Sequence, residues 1–128
     1  MDVRTHHSID PELVGRPETL APGRAVVRLP LTPAMAADGR GLVHGGFVFG
    51  LADYAAMLAV NDPLVVLGAA EVRFTAPAVV GETIEAEAVA EDASGKKRQV
   101  AVTVRRGETT ILTGRFTCFV LPHHVLDA

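Results

Sequence analysis

The residues best suited to chemistry in this chain of 128 residues lie at and beyond a His-Gly-Gly triplet. His44, Gly45 and Gly46 introduce an almost entirely apolar run that ends at Val60, and this run contains a single carboxylate, Asp53. An ionised carboxylate in apolar surroundings is costly unless it is paired, hydrated or functional. Asp53 is therefore the first candidate for a chemical role.

The apolar run predicts a helix over Gly45–Val60, because Ala, Leu and Met favour helices and the Asn-Asp-Pro sequence that follows would end it. Both glycines then lie at the helix N-terminus, where the first backbone N–H groups lack partners and the helix dipole favours negative charge. Such an N–H group can polarise a carbonyl oxygen that gains charge in a transition state. Asp53 follows Gly46 by about two turns on the same stripe of the helix. A polarising N–H and a carboxylate that acts as base or nucleophile are parts for acyl transfer.

Alternation of apolar and polar residues predicts strands before and after this helix. We expect them at residues 24–31, 64–77, 82–91, 98–105 and 109–121. Residues 1–20 are an expected N-terminal extension in which Asp10 and Pro11 begin a short helical turn, and residues 122–128 are an expected tail. The prediction is a single α+β domain over residues 1–128, with an antiparallel sheet wrapped around one long apolar helix. One sheet leaves a flank of that helix uncovered, so we also expect a homodimer.

Composition and charge argue against several classes of protein. The net charge of −3 gives no basic excess, so we expect no nucleic-acid partner. The apolar run is short for a membrane span and carries Asp53, so we expect no membrane insertion. One cysteine, Cys118, cannot build an internal disulfide. Because the chain also starts without the pattern of a secretory leader, the expected location is the cytoplasm.

The triplet and the aspartate nine residues after its histidine resemble the signature of hotdog-fold acyl-CoA thioesterases, most closely the phenylacetate-pathway type. The resemblance covers roughly residues 24–121 and implies a single hotdog domain. It implies that the Gly46 N–H polarises a thioester carbonyl, that His44 supports the loop, and that Asp53 activates water or attacks directly. It further implies acyl-CoA as the substrate, without a metal or another cofactor. In that family each dimer has two sites that take their glycine and aspartate from opposite subunits, and two dimers could associate into a tetramer.

Two departures from the family pattern concern polar groups near the site. Many members carry Asn six residues before the motif histidine, where this chain has Asp38. A second negative charge there could repel the substrate or supply an alternative base. Members often place a Ser or Thr on the strand after the helix, whereas residues 67–70 offer no hydroxyl. We treat Asp38, Gly45 and Phe47 as candidate substrate-binding residues.

A second resemblance keeps another function open. The stretch from EVRFTAPAVV to TILTGRF is similar to the acyl-thioester-sensing hotdog domain of bacterial fatty-acid-synthesis repressors, which binds its ligand without hydrolysis. The alternative to a thioesterase is therefore a non-hydrolytic acyl-CoA binding protein with a regulatory or scaffolding role. A hotdog hydratase would need an Asp and a His a few residues apart, and the sequence has no such pair in that pattern.

Each candidate residue also has a plain structural explanation. Asp53 could be a carboxylate bonded to backbone or to a second subunit, and His44 could serve only to fix its loop. Cys118 falls on the apolar face of the last predicted strand and is expected to be a core residue rather than a nucleophile. Histidine pairs near the two ends are expected to be solvated, and no metal site is predicted.

Overall fold

A computed structural model describes residues 1–127, which form one antiparallel sheet, one long helix and several short helical turns. The strands are β1 (Arg16–Ala21), β2 (Arg24–Pro30), β3 (Val65–Phe74), β4 (Thr83–Ala90), β5 (Lys97–Arg106) and β6 (Thr109–Val120). The α-helices are α1 (Pro11–Val14) and α2 (Gly45–Val60), and 3-10 turns lie at Pro33–Met35 and Val125–Asp127.

The sheet has the strand order β1-β2-β4-β5-β6-β3, and every neighbouring pair is antiparallel. Helix α2 crosses one face of this sheet and packs mainly on its centre, against β4, β2 and β5. The predicted α+β architecture, a sheet wrapped around one apolar helix, is confirmed. Strands β1 and β3 form the two edges, so each has one side without a strand partner in the described chain.

Alternation along the central strands builds most of the core, although Ile111 and Leu112 are neighbours on β6 and both are buried. Apolar side chains that point to the helix are almost fully buried, and their neighbours along each strand are more exposed. The buried set comprises Ile84, Ala86 and Ala88 on β4, Val100, Val102 and Val104 on β5, and Leu112, Phe116 and Cys118 on β6. The prediction that Cys118 is a core residue is confirmed.

Helix α2 begins and ends at the residues that the sequence predicts. Its last turn closes where Asn61 adopts a left-handed conformation (φ 53°) and donates its N–H to the Met57 carbonyl (2.8 Å). Most of its side chains are buried on all sides, which explains an apolar pattern without a polar face. In the described part of the chain, no helix has the length and apolar character needed to cross a membrane.

The N-terminal part of the chain differs from the prediction. Asp10 does cap α1, since its Oδ1 accepts the Glu12 N–H (2.9 Å). The expectation of an extension with only this helical turn is wrong, however, because residues 16–21 add strand β1 to the sheet. The strand predicted at residues 24–31 is therefore the second strand rather than the first. An edge strand whose side chains lie mostly in solvent has no need of apolar alternation, so the sequence carried no signal for β1.

Opposite faces of β6 should respond differently to truncation. Phe116 is fully buried and packs against the ring of Phe49 (centroids 5.5 Å apart), whereas Phe119 lies on the other face and is half-buried. We expect Phe116→Ala to lower the free energy of unfolding by about 3–5 kcal/mol. Phe119→Ala should cost on the order of 1 kcal/mol. Chemical denaturation measures both, and equal losses would contradict the assignment of the two faces.

Candidate functional site

The loop before α2 is fixed by backbone hydrogen bonds on two sides. The His44 N–H donates to the Met35 carbonyl, and the Val43 N–H donates to the Ala78 carbonyl, each at 2.9 Å. Both bonds end on buried residues, since Met35 and Ala78 are only a few per cent exposed. The direction in which the first N–H groups of the helix point is thereby determined by the core.

The N–H groups of the two motif glycines lie at the open start of the helix. Phe47 donates its N–H to the His44 carbonyl (3.1 Å). No hydrogen-bond acceptor is found for the Gly45 and Gly46 N–H groups among residues 1–127, and Gly46 is exposed. A donor at the positive end of a helix dipole is thus available to an oxygen from outside the chain.

The His44 ring lies directly beside Gly46. A Cβ atom at Gly46 would lie 2.9 Å from both Nε2 and Cδ2 of His44, which is closer than ordinary contact. The imidazole is exposed and stands edge-on to the Phe47 ring, with centroids 6.1 Å apart. Gly46 is therefore needed for the ring to take this position. The structure brings three of the predicted site residues, His44, Gly46 and Phe47, into one cluster.

Gly45 has a different neighbour that sequence reasoning missed. A Cβ at Gly45 would meet the Phe74 ring at 3.3 Å, and Phe74 is 54% exposed although it is aromatic. An open groove of about 470 Å³ runs between the start of α2 and the segment after β3. Its lining is mainly apolar and includes Val43, Gly45, Val48, Phe74, Ala76 and Ala78. No local pattern predicts this contact, because Phe74 is distant from Gly45 in sequence.

Asp53 is half-buried, and its environment disfavours the charged form. Its Oδ1 atom is buried without a hydrogen-bond partner among the described residues. Burial raises the pKa of Asp53 from 3.8 to about 6. Buried polar atoms in proteins are nearly always bonded, so an unsatisfied carboxylate oxygen calls for an explanation. A water molecule, a ligand or a second subunit would each supply the missing donor.

Cys118 lies close enough to Asp53 for the two groups to interact electrostatically. Burial raises the pKa of the Cys118 thiol to about 12, and the Asp53 carboxylate contributes to the same shift. The thiol is therefore neutral at ordinary pH, and a neutral buried thiol is a poor nucleophile.

Helix geometry separates the two groups that the sequence pairs. Gly46 and Asp53 are seven residues apart on α2. At 1.5 Å per residue, this places them roughly 10 Å apart along the helix axis. A hydrogen bond spans about 3 Å, so a carbonyl group bound at the Gly46 N–H lies beyond direct hydrogen-bond reach of the Asp53 carboxylate of the same chain.

Asp38 has a structural task in the loop that leads to the motif. Its Oδ1 accepts the N–H groups of Arg40 (2.9 Å) and Leu42 (3.2 Å). This arrangement stabilises the turn, as Asp side chains commonly do. A role for Asp38 in substrate binding or as a base stays a prediction.

Comparisons with known proteins agree with this fold. The family model for the fluoroacetyl-CoA-specific thioesterase, FlK, matches residues 60–124. The uncharacterized protein PH1136 from Pyrococcus horikoshii is 53% identical and superposes with a TM-score of 0.97 over 99% of this chain and 98% of that one. A mutant of the phenylacetic acid degradation protein PaaI from Thermus thermophilus is 32% identical, with a TM-score of 0.78 over 87% of this chain and 97% of that one.

The fold and these similarities define a hotdog-fold protein. The chain belongs to the hotdog-fold thioesterase superfamily. A curated relative, the methylthioribose-1-phosphate isomerase of Aquifex aeolicus, is 48% identical over 122 residues, which are 94% of this chain. The chain spans only 27% of the length of that relative.

The raised pKa of Asp53 makes stability depend on pH in a defined direction. Because the folded pKa lies above the unfolded value, protonated Asp53 favours folding at low pH, and this contribution is lost as pH rises through about 6. We expect Asp53→Asn to be more stable than the parent at pH 7.5 by on the order of 1 kcal/mol, since the group is only partly buried. Near pH 4 the gain should almost vanish. Urea denaturation at both pH values measures this difference, and a gain that does not change with pH would contradict the assigned environment.

Proposed function

We propose that the protein is an acyl-CoA thioesterase that acts at a site shared between two copies of the chain. The observation that carries this proposal is a pair of unsatisfied groups on one helix. The Gly46 N–H has no acceptor and Asp53 Oδ1 has no donor within the described chain, and one carbonyl cannot contact both groups of a single chain directly. A two-fold axis between two helices would let each copy complete the other's site.

The proposed reaction uses the chain's own groups. The thioester carbonyl oxygen accepts a hydrogen bond from Gly46 of one copy, with the His44 ring alongside. Asp53 of the second copy takes a proton from a water molecule, whose oxygen attacks the carbonyl carbon. The tetrahedral intermediate carries its negative charge at the positive end of α2, where it is stabilised. Its collapse breaks the carbon–sulfur bond, and the leaving sulfur receives the proton from Asp53, which gives a carboxylic acid and coenzyme A.

Asp53 suits the role of a general base because its pKa is raised to about 6. It is still ionised at neutral pH, and it holds a proton more strongly than an ordinary carboxylate does. The same group could instead attack the carbonyl carbon directly. A single turnover in H₂¹⁸O tests direct attack. Water that opens the resulting anhydride at the Asp53 carbonyl carbon leaves ¹⁸O in the side chain, so ¹⁸O in Asp53 would establish this route, whereas general-base catalysis puts all of the ¹⁸O in the product acid.

Two open surfaces of the chain favour the proposal that a second copy binds to it. The edge strand β3 is exposed at residues 68–71, and an open edge offers N–H and C=O groups for pairing with another strand. On α2, Gly46, Gly50 and Asp53 are less buried than most of the helix, and their spacing places them on one stripe. An antiparallel contact through β3 with two-fold symmetry would extend the sheet and bring the two helices together.

Loss of activity should depend on which of the two groups is altered. Asp53→Asn should lower thiol release from acyl-CoA by about 100-fold or more, while binding of an uncleavable analogue stays near the parent value. Gly46→Val should weaken both thiol release and analogue binding, because the valine side chain would displace the His44 ring and crowd the backbone N–H. Asp62→Asn is the matched control, since Asp62 lies just past the other end of the helix and its Oδ1 accepts the Leu64 N–H.

The activity of the parent should also depend on pH. Because Asp53 acts as a base only when it is ionised, kcat/KM should rise with pH through about 6.

If Gly46→Val hydrolyses thioesters as well as the parent does, the assignment of the N–H is wrong. If the parent releases no thiol from any acyl-CoA but binds the analogue, the non-hydrolytic binding protein is the better account. The absence of a hydroxyl at residues 67–70 favours this second candidate, because Asp53 then has no side-chain donor on the neighbouring strand to orient it.

The groove beside Gly45 is proposed to hold the acyl group. It lies next to the N–H groups that would contact the carbonyl, its walls are mainly apolar, and the exposed Phe74 ring forms one side. An apolar ligand that covers Phe74 would remove apolar surface from water at about 25 cal/mol per Å².

Truncation of this wall should change selectivity. We expect Phe74→Ala to lower kcat/KM for an aromatic or medium-chain acyl-CoA by about tenfold and to change acetyl-CoA hydrolysis by less than about threefold. Val89→Ala is the control, because Val89 is an exposed apolar residue of β4, outside the residues that line the groove. Equal losses for long and short acyl groups would contradict the placement of the acyl chain.

The name of the Aquifex aeolicus relative describes a protein of which this chain corresponds to about a quarter. We attribute the isomerase activity to the remaining part of that protein, since the chain that matches it has the hotdog fold and a match to a thioesterase family model. The isomerase chemistry is therefore not part of our proposal for this chain.

A further inference from the structure

A second cavity lies at the other end of α2, away from the proposed thioester site. Its volume is about 490 Å³, within the range of small-molecule sites. The N-terminal segment, the turn between β1 and β2, the last residues of α2 and the hairpin between β4 and β5 converge on it. Fifteen residues of helix separate Gly45 from Val60, so the two sites are roughly 20 Å apart.

Asn61 holds the N-terminal segment against this cavity. Its Oδ1 accepts the Arg4 N–H and its Nδ2 donates to the Asp2 carbonyl, both at 2.8 Å. Asn61 is only 7% exposed and has a left-handed backbone. Since the bonds run through a buried side chain, the backbone of Arg4 is anchored and its side chain lines the cavity.

The cavity contains more positive charge than its own carboxylates neutralise. Three arginines line it, and only Arg24 forms an ion pair, with Glu87 (2.5 Å). Among the described residues, Arg4 and Arg98 have no carboxylate partner. Arg98 donates its Nε–H to the Gly95 carbonyl (2.7 Å), which fixes the base of the guanidinium and leaves its outer N–H groups for a ligand.

The two acidic residues of the lining are already engaged. Glu91 binds Arg115, which is not part of the lining, at 2.6 Å. Asp92 accepts the Gln99 N–H through Oδ2 (2.9 Å) and so caps the β4–β5 hairpin. Asp92 keeps its negative charge, because a backbone N–H does not neutralise a carboxylate. Neither carboxylate pairs with Arg4 or Arg98, so the described lining offers an anion two unpaired guanidinium groups.

We propose that this cavity binds a small phosphomonoester. Guanidinium groups donate paired hydrogen bonds that match the oxygens of a phosphate, and a phosphate dianion can satisfy two of them at once. The rest of the lining is largely apolar and includes Ala59, Val60 and Val89, which suits a compact organic body attached to the phosphate. The assignment does not depend on thioester hydrolysis, because it uses none of the residues of that site.

Phenyl phosphate titrated into the full-length protein by isothermal calorimetry tests this site. We expect saturable binding that Arg4→Gln and Arg98→Gln each weaken by about tenfold. Arg73→Gln is the matched control and should change affinity by less than about twofold, because Arg73 is an exposed arginine on the opposite edge strand. Asn61→Gly keeps a residue suited to the left-handed backbone but removes both side-chain bonds, so it should weaken binding as Arg4→Gln does.

Three further ligands separate the contribution of the phosphate group from that of the phenyl ring and from that of negative charge alone. Inorganic phosphate should bind more weakly than phenyl phosphate, and phenol should not bind. Hexanoate tests whether the cavity prefers a carboxylate, and binding as tight as that of phenyl phosphate would overturn the choice of a phosphate. No saturable binding of phenyl phosphate at about 10 mM, or unchanged affinity in both arginine variants, would overturn the site itself.

Discussion

Helix α2 holds Gly46 and Asp53 about 10 Å apart, and the proposed site depends on this separation. Among residues 1–127 the Gly46 N–H has no acceptor and Asp53 Oδ1 has no donor, and a thioester or a second chain would supply both. The rise of the helix sets this distance, which exceeds the reach of a single hydrogen bond. We therefore propose that two helices supply the two groups, as the resemblance to the family also implies.

The same helix explains why the carboxylate is costly and yet tolerated. Apolar residues surround α2 because the sheet wraps around it, and the strip that carries Gly46, Gly50 and Asp53 is the part left less buried. Asp53 is thus close to the core but not sealed in it, and burial raises its pKa to about 6 without forcing it to remain protonated at neutral pH. A fully buried carboxylate would be neutral, and a fully exposed one would be a weaker base.

Local patterns predicted most of the framework, and tertiary contacts account for what they missed. The limits of α2 follow from its helix-favouring residues and from the Asn-Asp-Pro sequence that ends it. The alternating faces of β4, β5 and β6 follow from apolar periodicity, which reports burial directly. Strand β1 was missed because an exposed edge strand buries little apolar surface, so its sequence shows no apolar alternation. The packing of Phe74 on Gly45 and the bonds from Asn61 to the N-terminal segment join residues far apart in sequence. Asp38 was singled out because it stands where many family members carry Asn, and the structure adds that its side chain bonds to its own loop.

Complementation between two inactive variants tests the shared site most directly. Asp53→Asn and Gly46→Val proteins are unfolded together, refolded as a mixture, and assayed for thiol release alongside each variant refolded alone. In a mixed dimer, one site combines the intact Gly46 of the first chain with the intact Asp53 of the second, while the other site carries both changes. We expect the mixture to regain about a quarter of the parent activity, because about half of the dimers are mixed and each has one intact site. A mixture no more active than its separate components, with mixed dimers shown to be present, would contradict the proposal that the two groups act across subunits.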